Sequence, residues 1–161
     1  MIITHFIPFV MILRNVVAIT DHDFLVKNDA SYSAGYTFTC AVEQRSGVDG
    51  GGPIKCWGDG SAGLTTAPLG IHTQVSCGQF HCCSIKADET VGCWGRISEP
   101  FTEFHPVPSF VQISSGESHT CGLRKDGKII CWGRNDFDES SPPDGHFTQV
   151  RLPMKIYIMC I

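Results

Sequence analysis

The segment Gly116-Glu-Ser-His-Thr-Cys-Gly-Leu-Arg-Lys-Asp-Gly-Lys-Ile-Ile-Cys-Trp-Gly133 decides the fold of this chain. His119 to Arg124 reads as a strand and Lys128 to Gly133 as its return. Lys125-Asp-Gly127 between them is a three-residue hairpin loop in which Gly127 supplies the left-handed conformation. That loop sets the register and places Cys121 opposite Cys131. Cys121, Leu123, Ile129 and Cys131 then share one face, while Ile130 and Trp132 lie on the other. Apolar groups on both faces predict a sheet sandwiched between two neighbours.

The same pattern recurs along the chain. Cys56-Trp57-Gly58 and Cys93-Trp94-Gly95 match Cys131-Trp132-Gly133, with Trp94 following Trp57 by 37 residues and Trp132 following Trp94 by 38. A Gly-x-x-x-x-Cys element precedes each: Gly35 to Cys40, Gly78 to Cys83, and Gly116 to Cys121. In the second unit Ala87-Asp-Glu89 takes the hairpin loop and places Cys83 opposite Cys93. The first unit carries an insertion, Gly47 to Pro53, at the hairpin tip, still flanked by Cys40 and Cys56. Strand-like segments follow each unit: Thr73-Gln-Val75, Val111-Gln-Ile113 and Thr148-Gln-Val150. The first two run directly into the next Gly-x-x-x-x-Cys element. A unit of this size cannot bury both of its faces alone, so neighbours must stack.

Composition agrees with many short strands and tight turns. The chain has 17 glycines and 9 prolines scattered between short apolar runs, with no Gly-X-Y period and no sustained helical amphipathicity. Hydrophobic residues at 42% and charged residues at 17% exclude a disordered polyelectrolyte and a helical membrane protein. A net charge of −4 argues against a nucleic-acid partner, which leaves a basic footprint.

The two ends depart from the pattern. Phe6 to Leu13 is an apolar run of signal-peptide length, too short to span a bilayer, and Ala18 offers a cleavage point. Against a signal peptide, no basic residue precedes the run and Arg14 interrupts its far side, so residues 1–18 read as a signal peptide, as a damaged chain start or as a tail covering an exposed sheet. Met154 to Ile161 is apolar and strand-like, and reads either as a terminal capping strand or as sequence beyond a break in the gene.

The combined pattern, G-x-x-H-x-C-x-L…D-G…C-W-G-x-N…P-P…F-x-x-V, resembles the RCC1/BLIP-II superfamily of β-propellers. It is most similar to the short, cysteine-bearing repeats of CRINKLY4-like receptor ectodomains. Gly116, His119, Cys121, Leu123, Asp126, Gly127, Cys131, Trp132, Gly133 and Asn135 carry it in the third unit. Gly78, His81, Cys83, Cys93, Trp94 and Gly95 carry it in the second. The resemblance implies an all-β fold, a partial propeller of about three blades with antiparallel sheets. Its plan is an N-terminal segment over 1–29, repeats over 30–75, 76–113 and 114–150, and an atypical tail over 151–161. Two departures stand out. Asp138-Glu139 occupy positions where the family continues toward Gly-Gln, and residues 96–106 have lost the pattern. A closed ring of this kind needs about seven blades, so three units imply a fragment, a decayed copy or a subunit that assembles.

Opposite residues of an antiparallel hairpin bring Cα atoms to about 4.5–5.5 Å, a spacing that a disulfide accepts. The expected pairs are Cys40–Cys56, Cys83–Cys93 and Cys121–Cys131. Buried free thiols are the alternative. Cys77 and Cys82 replace the Ser115 and Thr120 of the third unit, and the pairing of Cys77, Cys82 and Cys160 stays open. A zinc set around His81, Cys82 and Cys83, or His119 and Cys121, lacks a paired C-x₂-C knuckle, so no metal and no cofactor is expected. Asp136 to Glu139 lacks calcium-loop spacing, and Gly50 to Pro53 lacks the Lys-Ser/Thr of a phosphate loop. His81 and His119 read as structural histidines between blades, and Trp57, Trp94 and Trp132 as core.

No acid, base and nucleophile converge from several units, so no catalytic residue is expected. The reading is a non-enzymatic protein–protein interaction module, extracellular or in the secretory pathway, whose variable loops contact a protein of unspecified identity. Phe101, Phe104 and Phe137 are the expected contact residues. Self-association through open blade edges is a further expectation, with no transmembrane segment. The alternatives are a cytoplasmic or nuclear RCC1-like regulator of a small GTPase or chromatin, and a non-functional fragment.

Overall fold

The computed structural model describes residues 31–43, 51–97 and 109–153. Nine strands lie among them: β1 Tyr32–Ala34, β2 Phe38–Val42, β3 Ile54–Gly58, β4 His72–Cys77, β5 His81–Lys86, β6 Val91–Gly95, β7 Phe110–Ser115, β8 His119–Arg124 and β9 Ile129–Gly133. They form three separate antiparallel sheets in the orders β1-β2-β3, β4-β5-β6 and β7-β8-β9. The all-β blade architecture read from the sequence is the one observed. Among the described residues no helix is long and apolar enough to cross a membrane.

Local chemistry explains each blade. The hairpin tip of the third blade turns at Gly127 with φ 80°, and Glu89 occupies the same conformation in the second with φ 65°. These turns fix the expected register, with Cys121 opposite Cys131, Cys83 opposite Cys93 and Thr120 opposite Trp132. Each Cys-Trp-Gly ends in glycine because Gly58, Gly95 and Gly133 leave their strands at φ 109°, 98° and 106°, a region that side chains disfavour. The glycine that opens each Gly-x-x-x-x-Cys element has a different role. A Cβ on Gly35 would stand 2.2 Å from the Phe38 ring, on Gly78 2.4 Å from the His81 ring, and on Gly116 2.5 Å from the His119 ring. The residue three positions on folds its ring back over the glycine.

The strands that end the first and second sequence units pair with the hairpins of the next. They are also the strands that fasten neighbouring blades. The Val75 amide donates to Ser31 Oγ at 2.9 Å, the Ile113 amide to Gln74 Oε1 at 2.8 Å, and the Val150 amide to Gln112 Oε1 at 2.9 Å. A second rung lies two residues on. The amides of Cys77, Ser115 and Leu152 donate to Ser33, Ser76 and Ser114 hydroxyls at 2.9, 2.8 and 2.9 Å. Backbone groups at the inner strands are thus satisfied by side chains of the preceding blade. Residues 148–152 hang on the third blade by the same two rungs.

The apolar core sits between blades. Phe38, Cys40 and Val42 of the first pack with Val75, Cys77, Cys82 and Trp94 of the second, around Leu64. Cys83, Ile85 and Val91 of the second pack with Phe110, Ile113 and Trp132 of the third. Cys121 and Leu123 pack against Val150, with Ile129, Cys131, Phe147 and Leu152 beside them. Trp94 and Trp132 therefore belong to the cores shared with the preceding blades. Trp57 corrects the expectation that all three tryptophans are core: it is 56% exposed, against 7% for Trp94 and 5% for Trp132. The described residues supply no blade ahead of it.

Candidate interaction surface

The turns between first and second strands lie at the same end of the array as the segments that leave the third strands. The amides of Asp59, Arg96 and Arg134 donate to the carbonyls of Thr37, Phe80 and Ser118 at 3.0, 2.7 and 2.9 Å. Adjacent turns are joined in a row, with the Tyr36 amide on the Gln79 carbonyl at 3.4 Å and the Gln79 amide on the Glu117 carbonyl at 3.0 Å. This edge carries aromatic and guanidinium groups together. Tyr36, 70% exposed, meets Phe80 edge-on with ring centroids 6.2 Å apart, and the Arg96 guanidinium lies 5.7 Å from the Phe80 centroid.

Phe137 stands in the loop that leaves the third blade and is 78% exposed. Its loop is fastened from within. The Ser140 amide donates to Asn135 Oδ1 at 2.8 Å, Asn135 Nδ2 donates to Ser141 Oγ at 3.1 Å, and the Phe137 amide donates to Glu139 Oε2 at 2.7 Å. Arg134 bonds Asp136 at 2.6 Å while its guanidinium carbon lies 5.6 Å from the Phe137 centroid. The acidic run Asp136 to Glu139, which lacks calcium-loop spacing, thus engages Arg134 and a backbone amide of its own loop. Hydrogen bonds from its own backbone amide and the Phe137 amide, with the charge of Arg134 adding, hold the Glu139 carboxyl below its usual range. Phe101 and Phe104 lie outside the described residues, as do residues 1–18 and Cys160.

The inner strands line a concavity of about 610 Å³, with Tyr32, Gln74, Val111, Gln112 and Gln149 on its wall. Between the blades lies a buried polar group that sequence reading described only in part. His81 Nε2 is 2.9 Å from Thr120 Oγ1, and Thr120 Oγ1 is 3.0 Å from Ser115 Oγ. Burial, with the nearby His119 adding, pushes the His81 imidazole down to about 4. His72 is a second buried histidine, its ring nitrogens 3.2 Å from the Pro68 carbonyl and 3.0 Å from Ser84 Oγ. Nothing in its sequence context marked it, because it precedes the repeated Thr-Gln-Val segment.

The sulfur atoms of Cys40 and Cys56, Cys83 and Cys93, and Cys121 and Cys131 are bonded in the structure, with Cα separations of 4.1, 4.0 and 4.0 Å. Cys77 and Cys82, left open by the sequence, face each other across β4 and β5 and are bonded as well.

A family model, the regulator of chromosome condensation (RCC1) repeat, matches residues 110–139. The ectodomain of the Arabidopsis thaliana receptor kinase ACR4 superposes with a TM-score of 0.56 at 24% identity, over 75% of this chain and 41% of that one. The entire ectodomain of the Physcomitrella patens receptor kinase CR4 gives a TM-score of 0.59 at 28% identity, over 75% of this chain and 34% of that one. Saccharomyces cerevisiae Prp20p, described with its binding to Gsp1p and histones, gives 0.54 at 18% identity, over 68% and 32%. Residues 110–139 thus match an RCC1-type repeat, and the three sheets fold like blades of these β-propellers. The chain spans less than half the length of each of these structures.

Proposed function

We propose that the chain is a non-enzymatic protein-interaction module of secreted or receptor-ectodomain type. It presents the turn edge of its blades to a protein partner. The observation that carries this reading is Phe137, a large apolar side chain held out at 78% exposure by a loop fastened on both sides. A pre-ordered aromatic group with arginine beside it loses little entropy on binding and suits an interface anchor. Phe101 and Phe104 are proposed to extend the same surface.

The secreted assignment draws support from the cysteines. Four cross-strand pairs in a small chain suit an oxidising compartment. The likeness to receptor-kinase ectodomains points the same way. Of nine cysteines, only Cys160 would then be free. Alkylation of the folded chain from an oxidising compartment will label one thiol, and alkylation after reduction will label all nine, as read by intact mass. Full labelling without reduction would remove the disulfides and the compartment assignment with them.

The interaction surface is tested by affinity capture with the oxidised chain and its Phe137→Ala variant, in parallel from solubilised membranes and from cytosol. A membrane or secreted protein retained by the wild type and weakened about tenfold or more by the variant is the expected result. Equal retention by both would take Phe137 out of the site. A partner found only in cytosol would favour an intracellular regulator of the Prp20p type.

A further inference from the structure

The junction between the first and second blades differs from the next one in its chemistry. Between the second and third blades, Cys83 Sγ lies 3.6 Å from Thr120 Oγ1, whose hydroxyl contacts Ser115 Oγ at 3.0 Å. One junction earlier, Cys40 stands in the place of Cys83, while Cys82 and Cys77 stand in the places of Thr120 and Ser115. Cys40 Sγ and Cys82 Sγ are 3.7 Å apart. The sulfurs of Cys40, Cys77 and Cys82 all lie within 4.8 Å of one another, and all three residues are buried. Cys56, bonded to Cys40, brings a fourth sulfur to the same place. Two hydroxyls in one junction are thus two sulfurs in the other, and four sulfurs from two blades converge.

We propose that this cluster, once its two disulfides are reduced, binds a single thiophilic metal ion such as Zn²⁺. Each disulfide is cleaved by a phosphine, which gives up two electrons and leaves as the phosphine oxide while one water supplies the oxygen atom and the two protons, so four thiols form in all. The cation then displaces thiol protons as sulfur lone pairs bond to it. Zinc–sulfur bonds of about 2.3 Å set neighbouring sulfurs of a tetrahedral centre about 3.8 Å apart. Cys40 and Cys82 already stand at 3.7 Å. Only the two bonded pairs have to open, by rotation about their Cα–Cβ bonds. The donor set is sulfur alone, which selects soft cations over calcium or magnesium. Phe38, Val42, Leu64, Val75 and Trp94 surround it and keep out water and competing oxygen donors. The site links two blades by a bond that survives reducing conditions, and it does not depend on the identity of any protein partner.

The test uses the full chain, reduced with a phosphine without oxygen and titrated with Co²⁺ as a spectroscopic stand-in for Zn²⁺. One Co²⁺ per chain is expected, with thiolate charge-transfer and intense tetrahedral d–d bands that one equivalent of Zn²⁺ bleaches. The comparison is a Cys77→Ser/Cys82→Thr double variant, which installs residues the third blade already carries at these places. Changes outside the ligand shell alone cost about 10–100-fold in affinity, so removing two ligands is expected to cost about 100-fold or more. Circular dichroism reports whether each protein keeps its sheets. Tetrahedral bands of equal strength in the variant would place the metal on other cysteines and overturn the proposal. Absence of the bands from the reduced wild type would overturn it too, whether the sheets persist or are lost and not restored by the metal.

Discussion

Replacing Trp94 with alanine will destabilise the chain by about 3–5 kcal/mol, whereas the same change at Trp57 will cost less than about 1 kcal/mol. The two residues occupy the same place in successive repeats, so propensity, register and neighbours in sequence are nearly the same. What differs is the blade in front. Trp94 is buried against Phe38, Cys40, Val42 and Leu64, and its indole N–H donates to the Leu64 carbonyl at 3.0 Å. Truncation leaves a cavity between two blades and strands that carbonyl. Trp57 has 56% of its surface in solvent, and little is lost when it is removed. Urea unfolding midpoints of the two variants measure the contrast. Equal losses would mean that Trp57 is covered in the working protein, as a blade from a longer chain or a second copy would cover it.

Acidification from pH 6.5 to 4 will remove about 3 kcal/mol of stability through His81. Burial holds this imidazole neutral in the folded chain, with a value of about 4 against an ordinary 6.5. Across that window the unfolded chain binds the proton and the folded chain does not. The contribution is therefore complete above pH 6.5 and is lost as pH falls to about 4. His72 and His119 are shifted in the same direction, also chiefly by burial, and add to the slope. The exposed carboxylates of Asp59 and Asp88, lowered from 3.8 by hydrogen bonds to Ser61 and Thr90, act below this window. The check is the unfolding free energy of the wild type and of His81→Phe at pH 7 and pH 4. Phenylalanine already occupies this place in the first blade, as Phe38. The variant will lose the bond to Thr120, lowering stability at pH 7, and will show a flatter pH dependence, so that its deficit disappears or reverses at pH 4. An unchanged slope would assign the acid sensitivity to other groups.

The hairpins were legible because their information is local. A three-residue loop with a left-handed third position fixes which residues face each other, and alternation then assigns the two faces. The blade-to-blade rungs were not legible. Nothing local marks Gln74, Gln112, Ser33, Ser76 and Ser114, because their targets lie 38 to 44 residues on. The candidate surface was half visible. Phe137 was marked by its loop and Arg96 opens the stretch that has lost the repeat pattern, whereas Tyr36 and Phe80 were missed because they sit in short turns of ordinary length.

The sequence by itself determined the unit: three Cys-Trp-Gly hairpins, their register, their two apolar faces and the need to stack. Those properties follow from turn geometry and a two-residue period, which act within about twenty residues. Only the tertiary structure decided how one unit meets the next. It placed Trp94 in a core and left Trp57 in solvent, although both sit in the same motif. It also brought Cys40 to 3.7 Å from Cys82 while setting Cys83 against the hydroxyl of Thr120. Burial and sulfur proximity are properties of a junction between two blades, and no single repeat contains a junction.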